Sequence, residues 1–191
     1  MRIIGGENRG RRLFAPEGDE TRPTSDKVRE ALFNIIRNDV PGARVLDLFA
    51  GSGALSLEAL SRGADSAVLC DKSRKAVAAI RRNIELTGDG SRTQVLCSDW
   101  QGALSGRFSL VFLDPPYRMT AVYAEAANRL LAGGHLTEDA LIVMEHDAGM
   151  TVGGLNEPLY AADTRTYRDT ALTFVRLRGQ NGERTEESEP V

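Results

Sequence analysis

Residues 110–119, LVFLDPPYRM, place an acid, two prolines and an aromatic residue directly after a run of four apolar residues. Proline has no N–H to donate and a fixed φ, so Pro115 and Pro116 end the predicted strand in a rigid corner. The corner leaves Asp114 at the strand tip and Tyr117 just beyond it. Placing an acid at the tip of a buried strand costs free energy unless a ligand binds there, so the motif suggests a binding site. The alternative is a loop whose only role is to end the strand.

A second candidate site lies in VLDLFAGSGALSLEAL, residues 45–60. Gly51 and Gly53 let the backbone turn tightly and come close to a ligand, and the helix that follows offers free N–H groups at its start. The pattern is similar to the dinucleotide fingerprint, but Ser56 stands where the third glycine belongs. By itself this turn is therefore weak evidence for a nucleotide-like ligand.

Acidic residues beside three predicted strands narrow the choice of ligand. Asp47 lies inside the first strand, where a carboxylate favours a cation or an amine and disfavours a pyrophosphate. Asp71 ends the second strand about 20 residues beyond the glycine turn, where a carboxylate can bind ribose hydroxyls. A ligand with a ribose, a positive charge and no phosphate fits both, and S-adenosylmethionine (SAM) is such a ligand.

The third strand is followed by Asp99 and Trp100. Asp99 could accept a hydrogen bond from the exocyclic amine of adenine, or it could only cap a turn. Trp100 is more often a packing residue. The predicted SAM-binding set is Asp47, Ala50, Gly51, Ser52, Gly53, Asp71 and Asp99.

These residues need a sheet that brings the ends of their strands together. Five apolar runs of strand length alternate with helical patterns, at residues 44–49, 66–71, 93–98, 108–113 and 140–145. This alternation predicts a parallel sheet with helices on both faces, and ligands of such sheets bind at the carboxyl ends of the strands. Two later runs, 158–166 and 170–177, are too close together for a helix between them and should form an antiparallel hairpin. The predicted fold class is α/β, with a Rossmann-like, mostly parallel central sheet and an antiparallel C-terminal hairpin strand.

The first 40 residues have a different pattern. The segment IIGG…RGRRL suggests a short β-hairpin arm with Arg9, Arg11 and Arg12. The segment RPTSDKVREALFNIIRN predicts an amphipathic helix capped by Thr24 or Ser25. Its predicted apolar stripe is Val28, Ala31, Leu32, Ile35 and Ile36. We expect residues 1–40 to pack on a main domain of residues 41–178, followed by a disordered acidic tail at 179–191.

Composition limits the function further. The chain has 191 residues and a formal net charge of −3, and without the tail it holds 23 acidic and 23 basic residues. Any contact with nucleic acid must therefore come from a local basic patch. No apolar run approaches the roughly 18 residues of a membrane span, and the N-terminus lacks the apolar core of a signal peptide. These features predict a cytoplasmic protein without a membrane segment.

The remaining residues with reactive side chains give no sign of a metal site. Cys70 and Cys97 are expected to be small buried thiols, because no CxxC or Cys/His cluster accompanies them. His135 and His146 fall at turns or strand ends and are expected at the surface, without a catalytic role.

Four segments occur in a fixed order along the chain: MRIIGG…RGRRL, RPTSDKVREALFNI, VLDLFAGSGALSLEALSRGA and LVFLDPPY. In order and spacing they resemble the bacterial family that methylates the guanine N2 amine of 16S ribosomal RNA, the RsmD type of class I SAM-dependent methyltransferase. The resemblance covers residues 1–178. It implies SAM as cofactor, S-adenosylhomocysteine as product, no metal, and guanine 966 as the target. The implied partner is 16S rRNA within the small ribosomal subunit or its precursor, and a monomer is expected.

The resemblance also implies roles for single residues. Gly51 and Gly53 would lie under SAM, Asp71 would hold its ribose, and Asp99 would hold its adenine. The segment Arg22, Pro23 and Thr24 would close over the cofactor. The target base would be received by Asp114, Pro115, Pro116 and Tyr117.

The chemistry of an aromatic amine explains why the corner matters. Such an amine is a poor nucleophile, because its lone pair is delocalised into the ring. Asp114 and the backbone carbonyl of Pro115 could each accept one N–H bond and free that lone pair, while Tyr117 stacks on a base that is flipped or already unpaired.

Basic residues supply the expected contacts to the RNA. Arg9, Arg11 and Arg12 could bind phosphates, although a solvated arm is the alternative, and Arg118 could steer the RNA backbone. One departure from the family pattern is Arg168 in TYRDT (166–170), where a glycine is expected.

Three alternatives stay open. The Asp-Pro-Pro-Tyr motif alone also fits DNA amino-methyltransferases acting on adenine N6 or cytosine, but no target-recognition domain is evident. A catalytically silent SAM-binding assembly factor is disfavoured by the intact motif. A nicotinamide-dependent oxidoreductase is disfavoured by the missing third glycine and by Asp47.

Overall fold

The computed structural model describes residues 1–16, 26–116 and 119–179. Its strands are β1 (Arg44–Asp47), β2 (Ser66–Asp71), β3 (Thr93–Cys97), β4 (Phe108–Leu113), β5 (Leu136–Asp147), β6 (Leu159–Tyr167) and β7 (Thr170–Leu177). They form one sheet in the order β3-β2-β1-β4-β5-β7-β6. The first five strands pair in parallel, and β7 is antiparallel to both β5 and β6. The predicted α/β fold class, including the C-terminal hairpin, is confirmed.

The helices are α1 (Asp26–Ile35), α2 (Ala54–Ser61), α3 (Arg74–Thr87) and α4 (Val122–Ala132), with short 3-10 turns at Gly90–Arg92 and Trp100–Ala103. Each face of the sheet is covered by its own apolar cluster. Successive residues of a strand face opposite sides, so Val45 packs with Leu57 and Ile80, whereas Leu46 packs with Ala126. No helix in the described ranges is long and apolar enough to span a membrane.

The buried face of α1 differs from the predicted stripe. The helix and the turn after it bury Arg29, Leu32, Phe33 and Ile36, whereas Ile35 is 42% exposed. The Phe33 ring lies 6.1 Å from the ring of Phe112 on β4, so packing against the sheet sets the orientation of the helix. The predicted caps Thr24 and Ser25 lie outside the described residues.

The N-terminal arm is a hairpin closed by a bridge between Arg2 and Arg12, as predicted. It docks on α2 through Glu58, a fully buried residue whose carboxylate accepts hydrogen bonds from the N–H groups of Ile4 at 2.7 Å and Gly5 at 2.8 Å. Arg62 donates to the same carboxylate at 2.7 Å and balances its charge. The arm is thus held on α2 by a charged and hydrogen-bonded contact. The division of the chain into three parts stays a prediction, because the tail from residue 180 onward lies outside the described residues.

Two expectations about single side chains are wrong. Cys97 is exposed, because β3 is the edge strand of the sheet, whereas Cys70 on β2 is buried. His146 is buried: its ring lies 5.9 Å from the ring of Tyr123 on α4, its Nε2 lies 2.8 Å from Thr173 Oγ1 and its Nδ1 lies 2.8 Å from the Asp147 carbonyl.

The turn between β6 and β7 contains the residue that replaces the expected glycine. Arg168 has a φ of 54°, in the left-handed region that favours glycine. The turn therefore keeps the backbone conformation of a glycine and places an exposed arginine there.

Candidate active site at the carboxyl edge of the sheet

The strand order brings the predicted acids to one edge of the sheet. Asp47 ends β1, and Asp71 ends the neighbouring strand β2. Asp114 directly follows β4, which lies on the other side of β1. Because all three strands are parallel, their carboxyl ends meet at the same edge, as the sequence predicted.

The glycine turn after β1 uses its two glycines differently. Both have positive φ, 54° at Gly51 and 78° at Gly53. A Cβ on Gly53 would come within 3.0 Å of Leu69 Cδ2, so this glycine lets the turn pack on β2. A Cβ on Gly51 would meet no atom within 4 Å, so this glycine leaves open space beside the edge. The turn therefore leaves room for an extended chain of a ligand beside Gly51.

Asp71 is held in place by two backbone donors. Its Oδ2 accepts from the Gly51 N–H at 2.9 Å and its Oδ1 from the Ser73 N–H at 2.8 Å. A carboxylate has about four acceptor positions, so two remain for hydroxyl groups of a ligand. Asp71 thus shapes the glycine turn and can still bind a diol.

Asp47 is almost completely buried and only half satisfied. Its Oδ2 accepts from the Ser56 hydroxyl at 3.0 Å, whereas its Oδ1 has no partner among the described residues. Burial raises the pKa of Asp47 from 3.8 to about 7, and the hydrogen bond from Ser56 partly offsets this effect. An unpaired buried oxygen is costly, and a cationic amine would relieve that cost. Ser56, which replaces the third glycine of the fingerprint, was not predicted as a functional residue and orients this carboxylate.

Asp114 stands at the head of the proline corner. The pairing of Leu113 with Met144 places it beside Glu145, the next residue of β5. Burial raises the pKa of Asp114 well above its usual range, and the charges of Glu145 and Asp47 raise it further. Pro115 is buried, so the corner is fixed by packing. Asp114 therefore binds a proton more strongly than an ordinary exposed aspartate does.

Several predicted site residues lie outside the described part of the chain. They are Arg22, Pro23, Thr24, Tyr117 and Arg118. Their placement over the cofactor and around the target base stays a prediction.

Asp99 and Trp100 have structural roles that their positions explain. Asp99 Oδ1 accepts from the Gln101 N–H at 3.2 Å and so starts the 3-10 turn after β3. Trp100 is buried, with the guanidinium of Arg129 5.7 Å from its ring centroid. Asp99 itself is exposed, so it can cap the turn and still accept a hydrogen bond from a ligand.

Asn83 on α3 is a residue of the site that the sequence analysis did not identify. It is fully buried; its Oδ1 accepts from the Phe14 N–H at 2.8 Å, and its Nδ2 donates to the carbonyls of Phe14 and Ser52, both at 2.9 Å. One side chain thus joins the N-terminal arm to the glycine turn. The available signal was a polar residue between Ile80 and Ile84 on the apolar face of the helix.

Within the described ranges, no group of three or more His, Cys, Asp or Glu side chains is arranged to hold a metal ion. The chemical groups at the edge are carboxylates, backbone amides and the proline corner.

The strand order, the glycine turn and the acids at the strand ends define a Rossmann-like methyltransferase. The family described as "Conserved hypothetical protein 95" matches residues 1–176. Ribosomal RNA small subunit methyltransferase D of Escherichia coli (strain K12) is 40% identical over 150 residues, which are 77% of this chain and 75% of that protein. YlbH of Bacillus subtilis (strain 168) is 37% identical over 185 residues, 94% of this chain and 100% of YlbH.

Solved structures agree with this assignment. The structure of yhhF from Escherichia coli matches with a TM-score of 0.81 and 34% identity, covering 94% of this chain and 99% of yhhF. The chain belongs to the family that these proteins share, the RsmD-type methyltransferases.

Proposed function

We propose that this chain transfers a methyl group from SAM to the exocyclic N2 amine of a guanine in 16S rRNA, with guanine 966 as the target that the family resemblance implies. The observation that carries the proposal is the convergence of Asp47, the glycine turn and the Asp114 corner at one edge of the sheet. The ribosomal substrate is supported by relatives named ribosomal RNA small subunit methyltransferase D.

The residues present fit SAM. The unpaired Oδ1 of Asp47 suits its ammonium group, Asp71 its ribose hydroxyls, and Asp99 the exocyclic amine of its adenine. The open space beside Gly51, between Ala50 and Ser52, suits its aminoacyl chain. When bound, SAM supplies an activated methyl group on a sulfonium that is already a good leaving group.

The chain's own contribution is to position and polarise the amine. Asp114 accepts one N–H bond of the target nitrogen, and the carbonyl of Pro115 accepts the other, so that the nitrogen lone pair is freed toward the methyl group. Methylation leaves the nitrogen positively charged until it loses a proton. The Asp114 carboxylate, which accepts one of the amine's N–H bonds, lies where it can take that proton.

The substrate must present an unpaired guanine, because a base inside a duplex cannot reach the corner. Tyr117 would stack on this base. Arg9, Arg11, Arg12 and Arg118 would contact phosphates, as the arm arginines are exposed. We propose that the enzyme works in the cytoplasm as a monomer, on the small subunit or its precursor.

The test uses labelled SAM and small ribosomal subunits from a strain that lacks the gene. The labelled RNA is digested, and the modified nucleoside is identified. N2-methylguanosine is the expected product, and its position is then mapped. Absence of label in rRNA while SAM still binds would overturn the proposal; N6-methyladenine in a parallel DNA reaction would instead indicate a DNA methyltransferase.

A further inference from the structure

The exposed side of α3 is strongly basic. Its buried side carries Val77, Ile80 and Ile84, and its outward stripe carries Arg74, Lys75, Arg81 and Arg82. The one carboxylate on this stripe is Glu85. The helix starts three residues after Asp71, so its positive stripe runs away from the cofactor end of the site.

The N-terminal arm continues this positive surface. The guanidinium of Arg82 lies 3.3 Å from the ring centroid of Phe14, which is 38% exposed. Arg11 donates from Nη1 to the Leu86 carbonyl at 2.7 Å, near the end of the same helix. The arm and the helix thus share one face, which we call the α3 basic surface: Arg11, Phe14, Arg74, Lys75, Arg81 and Arg82.

Several other arginines in the described part of the chain have a carboxylate partner, and the cations of this surface differ from them. Arg62, Arg129, Arg165 and Arg176 each contact a carboxylate, at distances of 2.7 to 3.1 Å. Among residues 1–16, 26–116 and 119–179, no carboxylate forms a salt bridge with a cation of the α3 basic surface. In a chain with a net charge of −3, the described residues thus form a local concentration of positive charge here, with Glu85 as the one carboxylate on the stripe of α3.

We propose that the α3 basic surface binds backbone phosphates of the RNA substrate, at a position separate from the target-base corner; this rests on the proposed rRNA methyltransferase function. Arginine and lysine contacts to phosphates position a protein on RNA without reading its bases. The guanidinium of Arg82 lies over the Phe14 ring, and a guanidinium in such a contact can still donate N–H bonds to a phosphate.

The location of the surface determines what kind of substrate it fits. Asp114 follows β4, whereas α3 connects β2 to β3, beyond the cofactor half of the edge. An RNA that reaches both must extend well past the unpaired target base. A large folded RNA meets this requirement, whereas a short oligonucleotide that carries only the target loop does not.

The experiment compares two double variants that remove the same charge. Lys75→Gln with Arg81→Gln changes the α3 basic surface, and glutamine is a good helix former. Arg37→Gln with Arg168→Gln is the control, because both arginines are exposed and lie elsewhere. RNA affinity is measured for the full chain over a range of salt concentrations, with 16S rRNA and with a short target-loop oligonucleotide.

The α3 variant should bind 16S rRNA more weakly, and the slope of log affinity against log salt should fall by about 1 to 2, as expected for two lost phosphate contacts. SAM affinity and affinity for the short oligonucleotide should not change, and the control should match wild type. Equal salt slopes for the two double variants, or no salt-dependent binding by wild type, would overturn the proposal. The proposed function is tested by a different measurement: it is contradicted if the wild-type protein makes no N2-methylguanosine.

Discussion

The Gly51 N–H donates to Asp71 Oδ2 at 2.9 Å, so the tip of the glycine turn and the end of β2 are held as one unit. A ligand that contacts this carboxylate therefore meets a turn that is already shaped. The expected consequence is that Asp71 affects cofactor binding in two ways, through its own acceptor positions and through the geometry of the turn.

Asp71→Ala should weaken SAM binding at least tenfold, because it removes ribose acceptors and two hydrogen bonds to the backbone. Isothermal titration calorimetry measures the affinity. Asp65→Ala is the matched control, since Asp65 is an exposed acid just before the opposite end of β2. Unchanged affinity in Asp71→Ala would remove this residue from the cofactor site.

Asp114→Ala should lower kcat by about two to three decades while SAM still binds, because one preorganised acceptor for the amine is lost. Single-turnover methylation of 16S rRNA measures the rate, and calorimetry measures the SAM affinity. Glu138→Ala, an exposed acid near the start of β5, is the control. A variant with wild-type kcat would contradict the proposed role of the corner.

SAM affinity should fall as the pH is lowered through about 7, because the pKa of Asp47 is about 7 and only the ionised carboxylate attracts an ammonium. The loss approaches tenfold per pH unit below that value, and binding at pH 6 should release a proton from Asp47. Calorimetry in two buffers with different ionisation enthalpies measures the release. Asp47→Asn should bind weakly and release fewer protons; equal release by wild type and variant would assign the proton to another group.

Asp47→Asn should also stabilise the ligand-free protein above pH 7. The folded-state pKa is raised from 3.8 to about 7, so protonation favours the fold, and the destabilisation grows as pH rises between those values. One pKa unit corresponds to about 1.4 kcal/mol, so the variant's free energy of unfolding at pH 8 should exceed that of wild type by at most a few kcal/mol. Urea unfolding at pH 8 and pH 5 measures it. A gain of equal size at both pH values would mean that burial of the charge is not the cause.

Asn83→Ala should raise the KM for SAM more than it lowers kcat, because Asn83 positions the Ser52 carbonyl of the glycine turn and the Phe14 backbone of the arm. Asn128→Ala is the matched control: Asn128 also bonds two backbone groups, those of Gly154 and Asn156, but on α4. Both variants should lose stability. If both show the same kinetic change, Asn83 acts through stability alone.

Local patterns in the sequence were sufficient to predict the sheet and the edge at which the acids meet. Alternating apolar runs and helical patterns predict parallel strands, and parallel strands place Asp47, Asp71 and Asp114 at one edge whatever the remaining details. The glycines and the proline corner are equally local, because φ is restricted by the residue itself.

Tertiary structure decided which polar groups lie inside. Arg29 is buried in place of Ile35, His146 is buried against Tyr123 of α4, and Cys97 is exposed on an edge strand. Asn83 acquires its role only because the arm and the glycine turn meet at its side chain. Periodicity in a sequence specifies that a helix or strand has an apolar face. It does not specify which distant segment covers that face, and burial of a polar group depends on whether that segment brings a hydrogen-bond partner.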